Sequence, residues 1–200
     1  MYIICMNRFH TFGAMNDFIA FIKQYVNVSK DIEIEIENLI LMEDVPKGHI
    51  LLKEGQSCER LYFIQKGTVR TYHYQNGKDI TYWIYPEHTI TTSWHSYILR
   101  KPSSEYIETT EDSVLLSLSY NQWQDLYLKH PKLERFGRLI LEEQMALIDD
   151  FFKGYYFLTA KEKYALLTTA FPTITQRANL GHIASMLGIS QETLSRIRGK

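Results

Sequence analysis

The sequence contains little cysteine, and this excludes several kinds of protein at once. Of its 200 residues only Cys5 and Cys58 are cysteines, too few for a disulfide framework or a cysteine-rich metal site. An iron–sulfur cluster needs about four cysteine ligands, so a sensor of that type is also excluded. Two isolated thiols fit a reducing compartment, and we expect a cytoplasmic location.

Long apolar runs are also lacking. No stretch of 18 apolar residues occurs, so we expect no membrane span. The opening segment Met1–Met6 is too short for the core of a signal peptide, and Arg8 follows it. Met15 is an alternative translation start. Apolar residues make up 45% of the chain and charged residues 22%, which is typical of a globular protein.

Signatures of enzymes are lacking too. The chain has no serine nucleophile elbow and no glycine-rich loop that would hold a phosphate. His73, His88 and His95 do not form the His-x-His pair with a following Glu that a cupin-like metalloenzyme would require. Isolated histidines among tyrosines are better interpreted as surface or hydrogen-bonded groups. We therefore expect no catalytic activity, no metal site and no cofactor.

The charge is distributed unevenly along the chain. Residues 153–200 carry seven basic and two acidic side chains, a net charge of +5, whereas the other residues carry 15 basic and 21 acidic ones, a net charge of −6. A basic tail on an acidic body indicates that the tail meets a polyanion. An ordinary solvated face remains the alternative.

The middle of the chain has the pattern of an antiparallel barrel. Two helical stretches, 15–28 and 31–41, come first. Between residues 45 and 120, runs of β-branched and aromatic residues alternate with turn residues, and we predict strands at 61–64, 68–74, 80–84, 107–110 and 114–118. Asn76-Gly77 predicts a hairpin turn, because both residues must accept positive φ. Short strands at this spacing indicate a barrel or jelly roll.

Helical periodicity returns after residue 120. We predict a short helix at 121–130, a restart at Pro131, and a long helix at 132–153 that Gly154 ends. The apolar face of the long helix exceeds what one barrel edge needs to cover, so we predict that it pairs with a second copy; a plain packing helix is the alternative. The predicted dimer residues are Phe136, Ile140, Leu147 and Phe151.

Near the end of the chain the pattern indicates two crossed helices. Thr159 and Glu162 form a capping box that starts the preceding helix, and Phe171-Pro172 ends it. In the segment 180–197, Ala184 is the small residue at the crossing and Gly188 supplies the left-handed turn. The packing positions are Ile183, Leu187, Ile189, Leu194 and Ile197, and Ser190 is the predicted N-cap of the second helix.

The outer face of the second helix carries side chains that suit duplex DNA. Arg can contact guanine with two hydrogen bonds, Gln can do so with adenine, and Glu can accept one from cytosine. The predicted base-reading residues are Gln191, Glu192, Ser195 and Arg196, and the predicted phosphate contacts are Ser190, Thr193, Arg198 and Lys200. We therefore predict a DNA-binding helix-turn-helix, with a structural helical hairpin as the alternative.

From about residue 15 to residue 200 the chain resembles the Crp/Fnr transcription regulators. The resemblance depends on short motifs at both ends: Pro46-Lys-Gly48, Leu52-Lys-Glu-Gly55, 61–67 (LYFIQKG), Val69-Arg70 and Asn76-Gly77, then Ile183-Ala184, Leu187-Gly-Ile-Ser190 and Glu192-Thr-Leu-Ser-Arg196. The ending Leu-Ser-Arg-Ile-Arg is similar to the Bacteroidetes-type branch. The resemblance implies a cyclic-nucleotide-binding-like barrel, a dimer helix and a DNA domain, with Gln191, Glu192 and Arg196 at base-reading positions.

The sequence departs from the family pattern in two places. Members that bind cyclic nucleotides carry a Gly-Glu-Leu segment and, about ten residues later, an Arg that neutralises the phosphate; here Ser103 stands at the Arg position and no Gly-Glu pair precedes it. A buried phosphate would lack its charge-assisted partner, so we expect no cyclic AMP binding of the usual kind. The second departure is that the chain stops within three residues of Ile197, which leaves no room for a C-terminal β-wing.

The barrel could still hold another effector. The candidate pocket residues are Tyr72, Trp83, Trp94, His95, Ser103 and Ser104, and Tyr97 and Tyr106 could join them. We favour the simpler interpretation that the aromatic side chains fill the barrel core.

The sequence as a whole predicts an α+β regulator with three parts. These are a sensor barrel with N-terminal helices (1–130), a dimerisation helix (131–154) and a helix-turn-helix domain without a C-terminal wing (155–200). The predicted partners are double-stranded DNA and a second copy of the chain, with RNA polymerase as a candidate and no membrane. The alternative function is a ligand-binding module that regulates another protein by direct contact.

Overall fold

The computed structural model describes residues 16–199, except for the side chains of Asn16 and Tyr155. Cys5, the alternative start at Met15 and the predicted phosphate contact Lys200 lie outside the described residues. Within 16–199, no helix is both long and apolar enough to cross a bilayer.

Two four-stranded antiparallel sheets form the body of the protein, which confirms the predicted α+β class and the jelly-roll barrel. Sheet A has the order β1-β8-β3-β6 and sheet B the order β2-β7-β4-β5. The strands are β1 (Leu41–Val45), β2 (Ile50–Leu52), β3 (Arg60–Lys66), β4 (Val69–Gln75), β5 (Lys78–Tyr85), β6 (Ile90–Thr91), β7 (Tyr106–Thr109) and β8 (Ser113–Ser119).

Three apolar clusters arrange the molecule in layers. Between the sheets, Ile64, Val69 and Ile107 are fully buried. On the outer side of sheet A, Phe63 and its neighbours pack against helices from both ends of the barrel sequence. On the outer side of sheet B, Ile84 of β5 joins a cluster made otherwise of C-terminal helices. These C-terminal helices therefore rest on sheet B, and the first part of the long helix that starts at Pro131 rests on sheet A.

The hairpin between β4 and β5 forms where it was predicted. Asn76 and Gly77 both adopt positive φ, 52° and 75°, as a two-residue turn of this kind requires. The pairing shifts register between Thr71 and Tyr72, so β5 carries one extra residue at this point, as in a β-bulge.

The two N-terminal helices, α1 (Asn16–Lys23) and α2 (Lys30–Leu39), lie against sheet A. The prediction that the second helix extends to residue 41 is wrong. Ile40 is extended, and Leu41 starts β1 by pairing with Ser117. Pairing with β8 satisfies backbone groups that one more helical turn would otherwise hold. The short helix α3 (Trp94–Leu99) and the strands β1, β2 and β6 were not predicted from the sequence.

Helix α4 (Tyr120–Lys129) and the long helix α5 (Pro131–Phe157) follow the barrel. Pro131 is at the start of α5, as predicted. The prediction that Gly154 ends this helix is wrong, because α5 continues three residues further. A glycine inside a helix costs only about 1 kcal/mol relative to alanine, and a helix of 27 residues tolerates it.

The first half of α5 belongs to the core of its own chain. Phe136 is 3% exposed and Ile140 is 4% exposed; the Phe136 ring lies 6.0 Å from both Phe21 and Trp123. The prediction that these two residues face a second copy is therefore wrong. Periodicity identifies an apolar face, but it does not identify which neighbour covers that face.

Four short helices complete the chain: α6 (Ala160–Ala170), α7 (Ile174–Arg177), α8 (Leu180–Met186) and α9 (Gln191–Arg198). Only Leu158 and Thr159 separate α5 from α6. The predicted capping box of Thr159 and Glu162 is present, and Phe171 caps the end of α6 just before Pro172. We call residues 160–199 the head.

Candidate nucleic-acid interface

Helices α8 and α9 meet through the tight turn that the sequence predicted. Gly188 has φ 67°, a conformation that strains any residue with a side chain. Its N–H donates to the Ser185 carbonyl at 3.0 Å, and the Ile189 N–H donates to the Ala184 carbonyl at 3.0 Å. Ala184 is 2% exposed, so its small side chain is what allows the close approach.

The contact between the two helices is apolar throughout. Ile183 and Leu194 are fully buried, and Leu187 is 5% exposed. Ile189 and Ile197 are half-buried at the edge of the same contact. Sequence reasoning missed the supporting residues Leu167, Ile174 and Ala178 of α6 and α7, which complete this cluster. Only the periodicity of α6 could have indicated one of them.

The four predicted base-reading residues all lie on the open side of α9. Gln191, Glu192, Ser195 and Arg196 are exposed, whereas Leu194 between them is buried. This separation fixes the orientation of the helix, because Leu194 holds one face inward and leaves the other to solvent. The face is therefore open to a groove of nucleic acid.

The predicted phosphate contacts surround the start and end of α9. Ser190 caps the helix by accepting from the Thr193 N–H at 3.2 Å, and its hydroxyl donates to the Thr193 hydroxyl at 3.1 Å. Arg198 is exposed at the other end. Two hydroxyls that hold each other near a helix N-terminus are well placed to turn toward an anion.

Glu192 is the one acidic side chain on this face. The N–H of its own backbone lowers the pKa of its carboxyl, because it donates to the charged form at the positive end of a helix. Glu192 is therefore ionised at neutral pH and can only accept hydrogen bonds. Among base edges it suits the amino group of cytosine.

The head is docked on β5, the edge strand of sheet B. Ser185 of α8 bonds the strand backbone, accepting from the Thr81 N–H at 3.0 Å and donating to the Thr81 carbonyl at 3.4 Å. Arg177, just before α8, donates to Glu87 at 2.9 Å and to Glu111 at 2.7 Å. This contact was not predicted from the sequence, because the residue pattern of a strand does not indicate which element covers the edge of its sheet.

Beneath α8 lies a buried arginine. Arg70 is 4% exposed and donates to Asp79 and Glu108, both at 2.7 Å or less, and its guanidinium lies 3.9 Å from the Tyr72 ring. Val69 and Ile107 face the space between the sheets, so Arg70 and Tyr72 face the opposite side. Tyr72 therefore does not line the barrel interior, and its place in the candidate effector pocket is wrong.

The other candidate pocket residues do not lie together at one site. Ser103 is 3% exposed, but His95 and Ser104 are exposed to solvent. Trp94 packs toward the helices on sheet A, and the Trp83 ring lies 5.2 Å from Phe151 of α5. The interpretation that aromatic side chains fill the core fits Tyr62, Tyr85 and Tyr97, which are all under 10% exposed.

The loop around Ser103 is closed on itself. The Ser103 hydroxyl lies 3.1 Å from that of Ser93, donates to the Glu105 carbonyl at 2.9 Å and accepts from the Glu105 N–H at 3.1 Å. Burial raises the pKa of the Glu105 carboxyl to about 7. The nearby Arg100 donates instead to the Cys58 carbonyl and pairs with Glu59. An anion here would meet a carboxyl group and no arginine.

A stripe of exposed apolar side chains follows the second half of α5. Leu141, Met145, Ile148 and Phe152 are 44%, 73%, 51% and 55% exposed, and their spacings of four, three and four residues are those of a coiled-coil seam. We call these four residues the α5 stripe. The predicted dimer residues Leu147 and Phe151 are half-buried beside it.

Comparison with known proteins supports the fold described above. Residues 42–130 match the family model of the cyclic nucleotide-binding domain. FixK2 from Bradyrhizobium japonicum is similar in structure with a TM-score of 0.67 at 16% identity, covering 80% of this chain and 83% of that one. A search of the curated proteins finds no match.

Two further solved structures extend the likeness. A putative transcriptional regulator of the Crp/Fnr family from Eubacterium rectale has a TM-score of 0.65 at 17% identity, covering 85% of this chain and 82% of that one. The catabolite activator protein of Thermus thermophilus has a TM-score of 0.55 at 19% identity, covering 86% and 83%. The resemblance predicted from the sequence is confirmed in the cyclic nucleotide-binding domain and in the fold.

A likeness of another kind covers less of the chain. The regulatory domain of a Toxoplasma gondii protein kinase A, solved with cyclic AMP, has a TM-score of 0.50 at 12% identity and covers 59% of this chain and 46% of that one. The likeness to the transcription regulators thus extends over a larger part of this chain than the likeness to the kinase subunit.

Proposed function

We propose that this chain, which joins a cyclic nucleotide-binding domain to the fold of the Crp/Fnr regulators, is a dimeric transcription regulator that binds specific sites on duplex DNA. The observation that carries the proposal is the exposed face of α9, where Gln191, Glu192, Ser195 and Arg196 stand over a buried Leu194. A helix of this kind fits the major groove, where base edges present distinct donors and acceptors.

The proposed roles of the side chains follow from their chemistry. Arg196 suits the O6 and N7 of guanine, Gln191 suits adenine, and Glu192 suits cytosine. Ser190, Thr193 and Arg198 would fix the register by contacting phosphates, which carry no sequence information. Because only a few residues of one short helix reach the bases, a single head would recognise a short half-site.

A second copy of the chain would bind along the α5 stripe. Its four side chains are apolar, exposed and spaced for knobs-into-holes packing. The stripe replaces Phe136 and Ile140 in the dimer role that the sequence suggested. A two-fold dimer would bring two α9 helices to half-sites about one helical turn apart and would favour a palindromic operator.

The barrel would not take cyclic AMP by the usual phosphate–arginine contact. The Ser103 hydroxyl is hydrogen-bonded within its own loop, and the carboxyl of Glu105, two residues away, would add a negative charge to this loop once it ionises. The regulator would then respond to another ligand or only to its own concentration.

The test of the proposed function is the affinity of the whole protein for duplex DNA as a function of salt. A protein that neutralises several phosphates loses affinity steeply as salt rises. Mapping of its binding sites across the genome would then give the operator, and an inverted repeat with half-sites one turn apart is the expected result. Salt-independent association, or no preferred sites, would contradict the proposal.

The alternative is a module that controls another protein by direct contact, as the likeness to a kinase regulatory domain allows. The basic charge of the C-terminal part of the chain argues against it, because the net charge of +5 over residues 153–200 is suited to a polyanion. Capture of a protein partner by the barrel with the head deleted at residue 158 would favour the alternative.

A further inference from the structure

The head is attached to the barrel at two places of different character. One is the covalent link of Leu158 and Thr159, which joins the head to α5 and through it to the barrel. The other is the docking of Arg177 and α8 on β5 described above. The two-residue link limits the orientations open to the head, and the docking contact holds one of them against the barrel.

The docking contact has the composition of a reversible interface. Its central interactions are the Ser185–Thr81 hydrogen bonds and the ion pairs of Arg177. The side chains that form these ion pairs remain about 30% exposed. From the barrel, Ile84 is the buried apolar residue that enters the cluster of the head. Interfaces between domains of one chain are commonly this polar, and motion is then the default expectation.

His182 of α8 adds a second sign that the docked state is not a permanent core. Its Nδ1 is buried without a hydrogen-bond partner. Burial, and then the charge of Arg70, lowers the pKa of its imidazole. A buried polar atom without a partner destabilises the state that buries it, so separation of the head from the barrel would relieve this cost.

Docking also removes a charge from the head. Arg177 stands three residues before Leu180, the start of the helix that crosses the DNA backbone in a helix-turn-helix. Burial opposes its charge, but hydrogen bonds with Glu87 and Glu111 outweigh this and raise the pKa of the guanidinium. Those two carboxylates occupy its donors, so a docked Arg177 is not available to a phosphate.

We propose that the contact of Arg177 and α8 with Glu87, Glu111 and the Thr81 backbone is an autoinhibitory latch that DNA opens by competing for Arg177. The proposal rests on the proposed function. When the latch is closed, the acidic barrel neutralises one basic residue of the head. When it opens, Arg177 can contact a phosphate, and the Thr81 N–H loses its partner and meets solvent.

The decisive variant is Glu87→Gln with Glu111→Gln. Glutamine keeps a side-chain oxygen for the Gly67 N–H and the Thr68 hydroxyl, which the two carboxylates also accept from, but it removes the charge that holds Arg177. The matched control is Asp31→Asn with Glu43→Gln, which removes the same charge from exposed positions on α2 and β1.

The measurement is the affinity of the full chain for a labelled duplex of random sequence at several salt concentrations. We expect the Glu87/Glu111 variant to bind roughly five times more tightly than the control variant, with a salt slope steeper by about one phosphate contact. Arg177→Gln should change the affinity of the parent chain little but should cancel the gain in the Glu87/Glu111 variant. Equal affinity of the variant and its control would overturn the latch.

Hydrogen exchange at the Thr81 amide gives a readout that does not depend on affinity. We expect protection in the free chain, faster exchange after Ser185→Ala, and faster exchange when DNA is added. Exchange that DNA leaves unchanged would overturn the latch while leaving the proposed function standing. If no form of the protein binds DNA, the proposed function and the role of the latch both fail, and protection at Thr81 would report only the docking.

Discussion

The fold offers two places for a phosphate, and the chain treats them in opposite ways. At α9, hydroxyl and guanidinium donors stand exposed on a face whose other side is buried. At the loop before β7, the Ser103 hydroxyl is hydrogen-bonded to the backbone of Glu105, and burial raises the pKa of the Glu105 carboxyl. The same fold thus exposes hydrogen-bond donors at α9 and keeps the Ser103 hydroxyl bonded within its own loop.

This difference shows that a match to a domain family does not by itself identify the ligand of a chain. Residues 42–130 match the cyclic nucleotide-binding domain, yet recognition of a buried phosphate needs a charge-assisted donor at one position, and the resemblance to the Crp/Fnr regulators puts Ser103 at that position. The packing that defines a fold is spread over many residues, whereas a ligand can depend on one of them.

The largest expected effect tests whether the α9 site requires a second copy. We expect Ile148→Glu with Phe152→Glu to separate the dimer and to weaken operator binding at least about 100-fold, because the second half-site no longer binds intramolecularly. Sedimentation and operator titration measure the two effects. Asp150→Lys, an exposed change on the same helix, should leave both unchanged. A variant that stays dimeric would remove the α5 stripe from this role.

The next effect tests the α9 face itself. Arg196→Ala should cost about 1–3 kcal/mol of specific binding if Arg196 contacts a guanine, and discrimination between operator and random duplex should fall with it. Arg198→Ala is the matched control, since loss of a phosphate contact weakens both duplexes alike. Unchanged discrimination after Arg196→Ala would exclude this residue from reading bases.

The barrel loop gives a smaller effect that depends on pH. Folding raises the pKa of Glu105 from its ordinary value of 4.5 to about 7, so the folded chain holds this proton more tightly than the unfolded chain. Its stability contribution is therefore complete below about pH 4.5 and is lost as the pH rises to about 7. Glu105→Gln should raise the free energy of unfolding at pH 8 by on the order of 1–2 kcal/mol and leave it nearly unchanged at pH 4.5.

Denaturant unfolding at the two pH values measures this difference. Glu54→Gln, an exposed change in the neighbouring loop, should have no effect at either pH. The same gain for Glu105→Gln at both pH values would mean that its carboxyl does not titrate as described, and the contrast between the two anion sites would weaken.

The smallest expected effect is the response to cyclic AMP. A ligand that binds the native state must raise the melting temperature, and we expect no rise at millimolar cyclic AMP. Restoring the arginine with Ser103→Arg, together with Glu105→Ala to make room, tests whether this one donor is what the loop lacks. A clear rise with the parent chain would contradict the interpretation of Ser103.

The sequence predicted most reliably those features that depend on a few neighbouring residues. The turn at Asn76-Gly77, the cap at Ser190 and the left-handed Gly188 are all where they were expected, because each requires a particular residue type at a particular place. Strands β3, β4, β5, β7 and β8 were predicted within a few residues through alternation and turn signals, whereas the short strands β1, β2 and β6 were not.

Features that depend on distant partners could not be predicted. Periodicity identified an apolar face on α5 but not that Phe136 and Ile140 serve the chain's own core. Alternation did not reveal that Tyr72 points away from the barrel interior, since the two faces of sheet B are both buried at that point. The docking of Ser185 on Thr81 joins residues 104 positions apart, and no local pattern records it.

The position of α8 also affects how the barrel behaves on its own. Strand β5 is eight residues long and is the last strand of its sheet, so without α8 its outer backbone groups and Ile84 would face water. A bare edge of this length is a template on which another chain can add a strand. By covering it, the head also protects the barrel against self-association, and a barrel without the head would be expected to aggregate.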